Sequence, residues 1–205
     1  MVSVYMNPEN LERKISQLES FAESAIRAQA AIHNMYSNDP MKGGESLGSL
    51  ESAIDKAASK IQEHAEKLKR CKTTMVNLNS NGVASHDLEG GISIEVPDDS
   101  TGLENTEKFE KWSQAALDAS DLKKAEEARD VNKQNEIIQR IEQNKTDHTY
   151  ASTFVDRYGV ENVILLPGHA GSTEQGRSVE NTLPDPKLTA LSGSLLSYAS
   201  QTWGS

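Results

Sequence analysis

The chain has 205 residues, of which 36% are hydrophobic, 25% charged and 5% aromatic, with a formal net charge of −10. That size and polarity suit one elongated domain or a hairpin with an appendage better than two full cores, and the acidic balance, with no dense block of Lys and Arg, argues against nucleic acid or an anionic membrane as partner. A lone cysteine, Cys71, excludes an internal disulfide framework, and no apolar run approaches the roughly 18 residues of a membrane span.

The opening residues, MVSVYMNPEN, lack the basic flank and apolar core of a secretory signal, so the expectation is a protein that is cytoplasmic or exported without a signal peptide. Asn7, Pro8 and Glu9 have the order of a helix start, with a cap, a first-turn proline and a first-turn acid. From there Leu11, Ile15, Leu18, Ala22, Ala25, Gln29, Ile32 and Tyr36 recur at helical spacing, and no Gly or Pro interrupts the run before Pro40. The stretch SNDPMKGGES reverses the chain, and Ser46 or Ser49 caps a second helix. Its narrow seam is Leu50, Ile54, Ala57, Ile61, His64, Leu68, Cys71, Met75 and Leu78, spaced alternately four and three. Two such helices are natural partners. The expected hairpin over 1–80 is held by Leu11, Ile15, Leu18, Ile32, Leu50, Ile54, Ile61 and Leu68, and the second helix ends in a basic cluster, Lys67, Lys69, Arg70 and Lys72, that suits the negative end of the helix dipole.

Residues 81–103 form an acidic extended linker, in which Ile92, Ile94 and Val96 alternate with polar positions before Pro97. No second strand is evident nearby, so this segment is expected as an edge or a strap across the helices. Residues 104–205 form a smaller helical region. Phe109, Trp112, Ala116, Ala119 and Leu122 mark a third helix, which should cross the hairpin and bring the largest rings to the core. Ile137, Ile138 and Ile141 mark a further helix, and Tyr150, Phe154, Val155 and Tyr158 a short one ending at Gly159. A polar loop is expected near 168–186, and a terminal helix runs toward Trp203. The fold class is therefore all-α: a long antiparallel helical hairpin with additional packed helices and one short extended segment.

This order, with GISIEVPD, NTEKFEKWSQAALDASDLKKA, YASTFVDRYGVENVILLPG and LSGSLLSYASQTW, resembles the N-terminal region of large actinobacterial proteins whose hairpins are similar to the WXG-type substrates of type VII (ESX) secretion. The resemblance implies a helical partner and a link to secretion machinery. The chain departs from the pattern at the hairpin loop, which has Met41, Lys42, Gly43 and Gly44 and no Trp-x-Gly turn. The Tyr and acid four residues apart that such hairpins carry after the second helix are absent there; Tyr5 and Glu9 have the spacing at the opposite end.

No residue set reads as a nucleophile, base and orienting group, and no cofactor is implied. NVILLPGHAGST reads either as a strand entering a Gly-rich phosphate turn, without the Lys of a P-loop, or as a helix end followed by a loop. His33, His64, His86, His148 and His169 are scattered, without the i, i+4 pairing of a metal site. Cys71 has cationic neighbours that would favour a thiolate, while its seam register favours a small buried hydrophobe. Acid pairs such as Glu126 with Glu127 and Asp98 with Asp99 read as solvated. The expected function is a non-catalytic module that recognises a helical partner through the hairpin seam and the third helix; the alternative is a structural dimer through the same seam.

Overall fold

The computed structural model describes residues 1–38, 40–86, 90–169 and 186–200. It is a mainly helical fold in which a short sheet fastens a long two-helix arm to a compact helical bundle. Strand β1 (Val2–Met6) leads into α1 (Pro8–Asn38) and α2 (Pro40–Ser80); β2 (Ser85–His86) and β3 (Ile92–Val96) follow. The bundle is α3 (Thr106–Glu127), α4 (Val131–Asn144), α5 (His148–Tyr158), α6 (Val160–His169) and α7 (Pro186–Ser200).

The hairpin forms as expected, with 31 and 41 residues in its helices, or about 45 and 60 Å of helix. The start of α1 is set by Asn7, whose side-chain oxygen accepts from the Asn10 N–H at 2.9 Å. The turn is tighter than the sequence suggested. Helix α2 begins at Pro40, ahead of the expected Ser46 or Ser49, because proline's missing N–H and fixed φ cost nothing in a first helical turn.

Residues 81–103 are more than a linker. Ile92, Ile94 and Val96 lie in the central strand of a three-stranded antiparallel sheet ordered β1-β3-β2, with Met6 opposite Ile92, Val4 opposite Ile94 and Ser85 opposite Ser93. The expected edge or strap is thus flanked on both sides. Its partner was present in the sequence as the alternation Val2, Val4, Met6. Gly91 leaves room for the tip of the Tyr5 ring, which a Cβ there would displace.

Two cores share α3. At the base of the arm, Met6, Met75, Leu78, Ile92, Val96, Phe109 and Trp112 pack together, and Phe109 stacks on Trp112 at 6.2 Å. The third helix therefore does bring its large rings to the hairpin, but only at its root. Farther along, Ala115, Ala119 and Leu122 turn into the bundle, against Ile137, Ile141 and a ladder of Tyr150, Phe154 and Tyr158. Helix α3 closes in a Schellman turn: Asp130 N–H donates to the Ala125 carbonyl and Arg129 N–H to that of Glu126, with Arg129 at φ 55°. Asp130 and Asp147 then cap α4 and α5, and α5 ends at Gly159, φ 100°, as expected. The stretch NVILLPGH is helical, so the strand-and-phosphate-turn reading falls and the helix end stands. The expected loop near 168–186, apart from its ends in α6 and α7, and Trp203 lie outside the described residues.

Candidate functional site

The hairpin seam is narrower than the sequence indicated and turned by part of a heptad. On α1, Ile15 and Ala22 are buried while Leu11, Leu18, Ala25, Gln29 and Ile32 are half-buried. On α2 the buried positions are Ala58 and Ala65, with Ile54, Ile61 and Leu68 half-buried between them. The expected Leu50, Ala57 and His64 lie exposed beside the seam. Both readings share Ile54, Ile61, Leu68 and Met75, and spacing alone cannot choose whether the other heptad position falls three or four residues on. Packing chooses the alanines, because Ala58 and Ala65 against Ala22 let the two backbones approach more closely than Leu50 or His64 would.

Ion pairs sort the two sides of the arm. Lys69 reaches Glu19 at 2.6 Å, Lys72 pairs with Glu12, and His33 Nδ1 lies 3.1 Å from Glu51. Together with Glu23 and Glu66, these residues make one side acidic and polar. The basic cluster thus performs a different task from the one expected. Lys72 is eight residues from the end of α2, beyond the reach of the dipole, and Lys69, Arg70 and Lys72 tie α2 to α1 and, through Glu110, to α3.

The other side of the arm is open and apolar. At about 100° per residue, Leu18, Phe21, Ala25, Ala28, Ile32 and Met35 form a second stripe on α1, spaced three and four. Phe21 is 65% exposed and Met35 68%. In an antiparallel pair, the Leu50, Ala57 and His64 line of α2 turns to this same side, where Leu50 is 46% exposed. Lys14 on α1 and Lys56, Lys60 and Lys67 on α2 flank the stripe, with Glu63 among the α2 lysines, where it pairs with Lys67 at 2.6 Å. Spacing along α1 does not separate this stripe from the seam, because Leu18, Ala25 and Ile32 lie on both lines and Ala28 reads as another small residue of the seam.

At its root the stripe runs into a cavity of about 430 Å³ between β1, the start of α1, the end of α2 and α3. Met6, Leu11, Leu68, Cys71, Met75 and Phe109 give it apolar walls, Lys14 contributes to its lining, and no Asp or Glu does. Ser100 also lines it; this residue is 2% exposed and its Oγ has no hydrogen-bond partner. Cys71 is half-buried, and burial pushes its thiol above the ordinary value, which favours the hydrophobe over the thiolate.

Elsewhere the polar groups are spent on structure. Asp118, fully buried, accepts from Tyr150 Oη at 2.7 Å, Arg140 Nε at 2.9 Å and Gln114 Nε2 at 3.0 Å, joining α3, α4 and α5. Burial, then the Asp118 charge, pushes the Tyr150 phenol well above its ordinary range. Glu126, expected to be solvated, instead accepts a hydrogen bond from the Tyr158 hydroxyl, and Asp99 pairs with Lys108 at 3.2 Å. No group of three or more His, Cys, Asp or Glu among the described residues could hold a metal, and no described helix is long and apolar enough to cross a membrane. Over residues 1–205 the chain matches the model of a family described as a family of unknown function (DUF6571), and no curated protein and no solved structure matches it.

Proposed function

From the premise that the chain belongs to the DUF6571 family, we propose that it is a non-catalytic interaction module whose arm receives a helical partner along its open stripe. The observation that carries this reading is the row Phe21, Ala25, Ala28, Ile32 and Met35, a heptad-spaced apolar line left uncovered on a hairpin whose seam is already closed within the chain. The recognition surface thereby moves from the seam and third helix, whose Ile15, Ala22, Phe109 and Trp112 are covered, to the opposite shoulder of α1. Lys14, Lys56 and Lys60 along this shoulder favour a partner helix with an apolar face and acidic flanks, while Lys67 is paired with Glu63 within the chain. That Asp118, the one charged residue fully buried among the described residues, is engaged in joining helices supports the non-catalytic reading.

A photo-crosslinking residue at position 21 in the native host should trap one defined protein, and Met35→Asp should abolish the adduct. Equal labelling from position 23, on the acidic side, would overturn the proposal. The likeness to WXG-type hairpins extends the proposal to a secretion-associated module; export that persists without the host's secretion ATPase would remove that extension. A self-assembling dimer is the second reading, because the same stripe can face its own copy. Light scattering over a hundredfold concentration range separates the two: a constant mass near 22.4 kDa excludes the dimer.

A further inference from the structure

We propose that the cavity at the root of the arm binds a single-chain amphiphilic acid of the medium-chain carboxylate class, with the hydrocarbon against the apolar walls and the carboxylate met by donors at its lining. The volume, about 430 Å³, is that of a small-ligand site, apolar with few polar points. Leu68, Cys71, Met75 and Phe109 offer a neutral wall that gains by covering a hydrocarbon chain and offers it no hydrogen bond stronger than a thiol's.

The polar points are matched to an anion. Lys14 lines the cavity and is exposed, and it has no described acid partner; the nearby Glu12 is turned to the other side of the arm, where Lys72 holds it. Ser100, whose hydroxyl is buried and unpaired in a setting where nearly every buried polar group finds a partner, lines both this cavity and a neighbouring one that Asp99 and Asp156 also line. Rotating the hydroxyl toward the apolar side supplies the second donor. A carboxylate has acceptor capacity for both groups. An absence of Asp and Glu from the lining removes the repulsion that would otherwise oppose it. Water could satisfy Ser100 alone, but water gains nothing from the surrounding apolar wall. A neutral hydrocarbon would fill that wall and leave both donors unused. This inference shares Lys14 with the surface proposed for the arm's partner but does not rest on that reading, because the titration is made on the chain alone.

The experiment is titration of the full 205-residue chain with decanoate, with decanol as the uncharged counterpart, followed by calorimetry. Saturable one-to-one binding of decanoate is expected, weakened about tenfold by Lys14→Gln, with decanol unaffected by that change. Ser100→Ala should weaken decanoate binding while leaving the empty chain as stable or more so, since it removes an unpaired buried hydroxyl. Leu68→Trp, which fills the cavity from a half-buried position, should abolish binding of both ligands with the helical circular dichroism retained. No saturation below the micelle concentration would overturn the proposal. So would wild-type affinity in both Lys14→Gln and Ser100→Ala, even if Leu68→Trp failed to fold.

Discussion

In the bundle, Tyr150, Phe154 and Tyr158 are enclosed on every side by α3, α4, α6 and α7, whereas in the arm Phe21 and Met35, of comparable size, stand largely in water. The difference follows from the number of layers. An α5 side chain meets neighbours in several directions, so its apolar face can be wide. An arm helix has one neighbour over most of its length, so a strip only one or two residues wide is covered and any apolar residue beyond it stays in water. The α5 rings are closed within the chain, whereas Phe21 and Met35 on the arm, like Ile164 and Leu165 on the outer face of α6, are not.

Substitutions can break that contrast at either end. The largest loss is expected in the bundle: Phe154→Ala removes a fully buried ring and should cost about 3–5 kcal/mol in denaturant unfolding. Removing Asp118 by Asp118→Ala leaves the Tyr150 hydroxyl buried without its acceptor, and should cost about 2–4 kcal/mol in the same measurement. In the arm, Ala65→Asp places a charge in the seam; hydrogen exchange should then show lost protection in α1 and α2 while α3–α5 remain protected. Loss of protection throughout would mean that arm and bundle unfold as one unit. Phe21→Ser, by contrast, should change stability by no more than about 0.5 kcal/mol, because the ring covers little in the isolated chain.

Two smaller effects sharpen the picture of the bundle. Burial, then the Glu126 contact, holds the Tyr158 phenol above its ordinary value of 10.0, as burial and Asp118 do for Tyr150. The folded chain thus keeps protons that the unfolded chain releases. The stability from this source is whole below about pH 10 and is lost as the pH rises further. Tyr150→Phe should flatten the alkaline limb of a stability-against-pH curve. At the end of α3, Arg129→Gly relieves a side chain at φ 55° and should raise stability by about 0.5–1 kcal/mol, read as a small rise in melting temperature.

Much of this architecture was legible along the chain. Asn7 with Pro8, the uninterrupted run to Pro40, the isoleucines of α4 and Gly159 after α5 each act within a turn or two of helix, and each lies where local chemistry placed it. The sheet was half legible. Ile92, Ile94 and Val96 announced a strand, but its partner begins some 90 residues earlier, and alternation in five residues does not say what it pairs with. The candidate sites were the least legible. His64 and Leu50 fit the heptad as well as Ala65 and Ala58 do, and the cavity gathers Lys14, Cys71 and Ser100 from three separate stretches.

By itself, then, the sequence determined the helices, their ends and the pairing of α1 with α2, because hydrogen bonds within a helix, caps and heptad spacing are all local. Only the tertiary structure decided which line of α2 faces α1, which apolar line of α1 is left in water, and that Ser100 has no partner at the wall of an apolar cavity. Those outcomes depend on how closely two backbones approach and on what surrounds each group from distant parts of the chain, quantities to which spacing along one helix is blind.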